Sequence, residues 1–206
     1  MPSQVNATRM ELLRLRRRTA LARRGHKLLK DKLDGLIQQI FELAKVQRQL
    51  SDELDETLAV VFQQLIFASA QTEPAVLAAA TQTSNCQAAV STAYKNIMGV
   101  RVPRYKFDFS GDPIAYNLYV TSGELDQSLI NFKNIMAELV RLAEYNKTIT
   151  VIASEIIEIK RRVNALEYIL IPELDNAVKY IRMKLSEMER SNTVTLLKIK
   201  DIVRGG

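Results

Sequence analysis

Residues 29–54 read LKDKLDGLIQQIFELAKVQRQLSDEL. Apolar side chains recur at Leu29, Leu33, Leu36, Ile40, Leu43, Leu50 and Leu54, with Gln47 completing the series, so the steps alternate between four and three. That spacing keeps one edge of an α-helix apolar and is the pattern of a heptad seam, which is buried only when a second helix lies against it. The stretch is therefore expected inside a coiled coil. Working outward, Thr8 and Glu11 form a Thr-x-x-Glu capping box, and no proline intervenes between it and Pro74. One helix is predicted over about residues 8–70. The step from Leu54 to Leu58 is again four before Val61 and Leu65, a stutter that locally unwinds a supercoil. Gly25 and Gly35, inside this helix, each cost about 1 kcal/mol relative to alanine. They mark either a close approach or a tolerated surface position.

A second capping box, Thr121-Ser-Gly-Glu124, opens a helix predicted over residues 122–204. Its apolar positions are Leu125, Leu129, Phe132, Met136, Leu139 and Ala143, and later Val163, Leu166, Leu170, Leu174, Ala177, Ile181, Leu185 and Met188. The late steps of three, four and four make an 11-residue repeat, which favours a nearly straight or slightly right-handed pair of helices. Pro172 removes the hydrogen bond to the Tyr168 carbonyl, so a kink or local break is expected there. Pairing the two helices antiparallel with their ends together predicts residues near Leu29 opposite residues near Ile181.

The middle, residues 71–121, is built differently. Residues 74–98, rich in Ala, Ser, Thr and Gln, read as one or two short helices. From about 100 to 120 the period changes to two: Val100, Val102, then Tyr105, Phe107 and Phe109, a turn at Ser110-Gly-Asp-Pro113, and Tyr116, Leu118 and Val120. A β-hairpin with its turn at 110–113 is expected, and a lone hairpin needs a surface for its aromatics. The fold class is all-α dominated: two long helices in an antiparallel coiled-coil hairpin around small helices and a β-hairpin.

Chemistry-bearing patterns are sparse. The 206 residues hold one cysteine, Cys86, and one histidine, His26, too few for a disulfide framework, a Cys/His zinc site or a Cys-His-Asp catalytic set. No phosphate-binding glycine loop and no His-Glu-x-x-His occurs, so no catalytic residue, cofactor or metal site is expected. The acidic run Asp52, Glu53, Asp55 and Glu56 reads as the solvated face of the coiled coil. No apolar run is long enough to span a membrane, and the start lacks a signal-peptide core, so a soluble, intracellular chain without membrane insertion is expected.

Charge is unevenly placed. Residues 1–32 carry ten basic and two acidic side chains, residues 179–206 seven and three, and the middle is acidic on balance. If the ends meet, they form one tip of about +12 that seeks an acidic surface. Residues 1–40 carry no aromatic side chain, which argues against nucleic acid and against a membrane-interface helix. A protein-docking tip remains.

Particular residues go further than pattern. Asn6-Ala-Thr-Arg-Met-Glu-Leu12, Arg24-Gly-His-Lys-Leu-Leu-Lys-Asp-Lys32, Lys95-Asn-Ile-Met98 leading into Val102-Pro103, and Arg161-Arg-Val-Asn-Ala-Leu-Glu-Tyr168 with Ile171-Pro172 stand in this order along nearly the whole chain. Together they resemble the D-subunit family of the V-type and archaeal-type rotary ATPases, in its shorter prokaryotic form. The resemblance implies a non-catalytic central-stalk rotor that carries torque between ATP hydrolysis or synthesis in a head of A and B subunits and proton or sodium translocation by a membrane ring. It also implies an F subunit on the side of the shaft, a funnel-shaped C (d) subunit toward the ring, a hairpin with a regulatory role, and a place at the cytoplasmic face of the membrane. On this reading Arg16, Arg17, Arg18, Arg23, Arg24 and Lys27, with Lys198 and Lys200, face the head. Arg161, Arg162, Asn164 and Glu167 carry the family signature, and Tyr105, Phe107 and Phe109 mark the hairpin. The competing reading is a free-standing coiled-coil scaffold or membrane-associated adaptor.

Overall fold

The computed structural model describes residues 6–82, 86–114 and 121–204, with the side chains of 80–82 outside that description. The elements in order are α1 (Arg9–Gln71), α2 (Pro74–Gln82), β1 (Gln87–Ile97), β2 (Val100–Ser110), α3 (Gly123–Ala165), a π-helical turn (Leu166–Leu170) and α4 (Ile171–Arg204). They divide into two compact units, Met1–Asp34 with Ile157–Gly206, and Gly35–Ile156.

In the first unit α1 runs antiparallel to α4. The Thr8 hydroxyl accepts the Glu11 N–H at 3.2 Å, so half of the expected capping box forms. The Glu11 carboxylate turns toward Arg14, 3.7 Å away. Leu15, Leu174 and Ile181 make the buried centre, flanked by Leu12, Ala22, Leu170, Ala177, Val178 and Leu185. Ion pairs fix the register: Arg9 to Glu189 at 2.6 Å and Arg23 to Asp175 at 2.8 Å. The expected pairing of Leu29 with Ile181 is therefore incorrect; Ile181 packs with Leu15, two heptads earlier. A heptad seam looks the same after a shift of two repeats, so periodicity cannot choose between these registers.

The break at Pro172 takes a definite form. The Ile171 N–H bonds the Leu166 carbonyl, five residues back, and the chain is π-helical from Leu166 to Leu170. Proline offers no N–H to Tyr168 and its ring crowds that carbonyl; widening the preceding turn relieves both while the helix continues.

In the second unit α1 packs antiparallel on α3. Leu54 and Val61 meet Ile135 with Leu50, Leu58, Leu139 and Leu142 around them, and Ala68 meets Leu125 beside Leu65, Leu77 and Leu129. The Asn131 amide donates to Gln64 Oε1 at 3.0 Å. Ile135 occupies the seam, whereas Phe132, assigned to it from sequence, is 40% exposed. Helix α3 starts at Gly123, so Ser122 stands in the capping position in place of Thr121, and the Leu125 N–H bonds the Ser122 carbonyl. Pro74 opens α2, where its missing N–H costs nothing.

The hairpin differs from expectation. Gln87–Ile97 forms its first strand, and the pairing runs unbroken from Gln87 with Ser110 to Ile97 with Val100. Residues 87–97, expected to be helical, include Val90, Thr92 and Tyr94, and pairing with β2 overrides the helical bias of the alanines. The connection is Met98–Gly99, both at positive φ, 50° and 84°, with the Asn96 side chain accepting the Gly99 N–H at 2.8 Å. Two successive residues at positive φ are what a two-residue hairpin loop requires. The turn at 110–113 exists, with the Ile114 N–H on Asp112 Oδ1, but it leaves the hairpin and does not join its strands. The expected return strand at Tyr116, Leu118 and Val120 lies outside the described residues.

Along β2 the buried side switches. Val100, Val102 and Pro103 are buried, after which Tyr105, Phe107 and Phe109 are half-buried, so the strand turns its other face inward past Pro103. This hairpin rests on helices of its own unit. The Tyr105 N–H donates to Glu144 at 2.7 Å, and Lys133 Nζ sits 4.8 Å from the centre of the Phe109 ring. At the other end the Met98 side chain lies on α1 at Gly35, where an added Cβ would stand 2.5 Å from its terminal methyl.

Candidate partner-binding surface

The residues expected to face a partner lie in the first unit, and the fold distributes them unequally. Leu15 and Thr19 are buried, the Thr19 hydroxyl donating to the Leu15 carbonyl at 3.0 Å. Arg16, Arg17 and Arg18 fill the exposed arc between them. At about 100° per residue three consecutive arginines fan over more than half the helix circumference, so they suit an enclosing partner better than a flat one. Arg24 and Lys27 on α1 and Lys198 and Lys200 on α4 are also exposed. Among the described residues none of these seven forms an ion pair. Arg23 differs, since Asp175 holds it within the chain.

The signature residues separate in the same way. Glu167, on the π turn, accepts a contact from His26 Nε2 at 3.3 Å and so links α1 to the widened turn. Arg162 pairs with Glu158 one turn back on its own helix. Arg161 and Asn164 are exposed on either side of buried Val163. They border the seam without filling it.

Sequence reasoning overlooked the end of α4. Beyond Glu189, which meets Arg9 at the start of α1, every described residue through Arg204 is exposed. Val194, Leu196, Leu197, Ile199, Ile202 and Val203 lie here, Ile202 at 75% and Val203 at 74% exposure. Their spacing distributes them around the helix, so no single stripe covers them. A lone helix of this length is marginal in water, and one with exposed apolar side chains on every side calls for surrounding protein.

Among the described residues no group of three or more His, Cys, Asp or Glu could hold a metal ion, and no helix is long and apolar enough to cross a membrane.

Two antiparallel helices ending in a segment that, among the described residues, has no neighbour, basic and carrying exposed apolar side chains, define one component of a larger assembly. The family model for the D subunit of ATP synthase matches residues 11–201. The V-type ATP synthase D subunit of Acetivibrio thermocellus is 41% identical over 204 residues, covering 97% of this chain and 92% of the relative. That of Fusobacterium nucleatum is 42% identical over 204 residues, covering 98% and 97%. The A-type ATP synthase D subunit of Methanopyrus kandleri is 40% identical over 202 residues, covering 97% and 87%. The chain belongs to the ATP synthase D-subunit family, central-stalk components of V-type and A-type ATP synthases.

Proposed function

We propose that this chain is the torque-carrying rotor of its complex and holds no catalytic residue of its own. Its C-terminal segment sits inside a head of A and B subunits, an F subunit binds its side, and a funnel-shaped C (d) subunit couples it to the ion-carrying ring at the cytoplasmic face of the membrane. The observation that carries this reading is the α4 end, whose residues 190–204 are exposed and carry apolar side chains on every side of the helix among polar ones. Such a surface is stable only when enclosed, and a ring of subunits encloses it. Arg16, Arg17, Arg18, Arg24, Lys27, Lys198 and Lys200 then meet acidic groups of the head. An asymmetric helix pair inside the ring contacts each catalytic interface differently, and turning it redistributes the interfaces among their states through those differences in contact energy.

The test is association of the chain with the A and B head at two salt concentrations. Replacing Arg16, Arg17, Arg18, Arg24 and Lys27 together by glutamine is expected to weaken association most at low salt, the difference from wild type shrinking as salt screens the charges that the wild type retains. A single replacement is expected to cost no more than about 1 kcal/mol. Equal affinity of wild type and the fivefold variant at every salt concentration overturns the charge assignment. Failure of a chain truncated after Glu189 to lose head binding overturns the enclosed-tip reading.

A further inference from the structure

The two edges of the hairpin are treated in opposite ways. In an antiparallel pair, successive residues alternately aim their N–H and C=O groups at the partner strand and away from it. The Tyr105 N–H goes to Glu144, so the Thr92–Tyr105 pair is one whose backbone groups point outward. By alternation the same holds for Tyr94–Pro103, Val90–Phe107 and Ala88–Phe109. The outer edge of β2 is blunted twice: Pro103 has no N–H, and Glu144 takes the one from Tyr105.

The outer edge of β1 has neither protection. Ala88, Val90, Thr92 and Tyr94 turn backbone donors and acceptors outward, and among the described residues nothing bonds them. Ten of the eleven residues of β1 are exposed. The strand contains no proline and no bulge, and Lys95 is its only charge. A long, regular, weakly charged edge is the kind that proteins cover or pair. The electrostatic setting selects the partner. Besides Lys95, Arg101 stacks 4.3 Å from the centre of the Tyr94 ring, Arg104 stands opposite Ala93 and Lys106 opposite Ser91, with Asp108 as the one acidic side chain of the hairpin. A second copy of this basic edge would be repelled; an acidic strand would not.

We propose that the outer edge of β1 is a docking edge on which an extended, acidic segment of another protein of the assembly adds as a third strand, its backbone pairing with Ala88, Val90, Thr92 and Tyr94. Backbone pairing supplies affinity, while the row of cations around Lys95 and Arg101 supplies selectivity. The proposal rests on the reading of this chain as a component of the rotary complex.

Amide hydrogen exchange of the full chain, alone and in the reconstituted complex, tests it. The outward amides of Ala88, Val90, Thr92 and Tyr94 are expected to slow at least tenfold on assembly, whereas those of Ala89, Ser91 and Ala93, already bonded to β2, change little. Thr92→Pro removes an outward donor without taking a rung from the β1–β2 ladder, and Lys95→Glu reverses the local charge; each is expected to lower that protection at the remaining outward amides. Outward amides that exchange equally fast alone and in the complex overturn the proposal, as does slowing that ignores the alternation. A chain that never enters the complex overturns the rotor reading itself, whereas assembly with an unprotected β1 edge overturns this inference alone.

Discussion

Helix α4 has two halves that share composition but not circumstance. From Ile171 to Glu189 it lies on α1 and buries Leu174 and Ile181; from Arg190 to Arg204 it has comparable apolar content and buries none of it. The first half is held by packing and two interhelical ion pairs, and the second by nothing in its own chain among the described residues. The contrast teaches that an apolar heptad position is a request for a partner, which the same chain or another one can meet.

Substitutions can break this comparison. Ile181→Ala empties a fully buried site and is expected to destabilise the isolated chain by about 2–5 kcal/mol in urea denaturation. Ile202→Ala in the overhang is expected to stay within about 0.5 kcal/mol in the same measurement, and to show its effect only in head association. Similar losses for the two variants in the isolated chain would erase the distinction between the halves.

The π turn at the start of the paired half can be probed next. Pro172→Ala restores an N–H for the Tyr168 carbonyl, and a gain of about 1 kcal/mol is expected, less than the roughly 3 kcal/mol of an unrelieved interior proline. The residue 172 amide should become protected from exchange. If the Ile171 to Leu166 bond survives in the variant, packing around Glu167 and His26 sets the turn and proline merely tolerates it.

The smallest effects concern the two glycines of α1. Nothing lies within 4 Å of a Cβ built on Gly25, so Gly25→Ala is expected to stabilise by about 0.5–1 kcal/mol. At Gly35 the same gain in helix propensity is opposed by displacement of the Met98 side chain, and a net change near zero is expected from thermal unfolding. A clear gain at both would mean that the hairpin tip is not seated on α1.

These elements also show how far a sequence can be read. The seam from Leu29 to Leu65, the proline break and the clustered charges follow from local rules, because helical periodicity, a missing N–H and side-chain charge belong to the residues themselves. Gly25 and Gly35 look alike in the sequence, and only the approach of Met98, more than sixty residues away, distinguishes them. Tyr105, Phe107 and Phe109 announce a strand, but its neighbour could have been drawn from either side. Alanines at 88, 89 and 93 and a Ser-Gly-Asp-Pro turn favoured the wrong one, since strand pairing is a nonlocal choice. Arg23 and Arg24 are likewise adjacent and chemically identical, yet one is held by Asp175 and the other, among the described residues, is exposed without an ion pair.

The sequence by itself determined that two long helices would pair, that proline would interrupt the second, and that basic charge would gather at the chain ends. The tertiary structure decided the register, the strand that pairs with β2 and the length of α4 left exposed among the described residues. Each of these depends on which distant residues meet, and repeating heptads, being nearly equivalent under a shift of two repeats, leave that choice to ion pairs, buried volume and the fit of a methionine against a glycine.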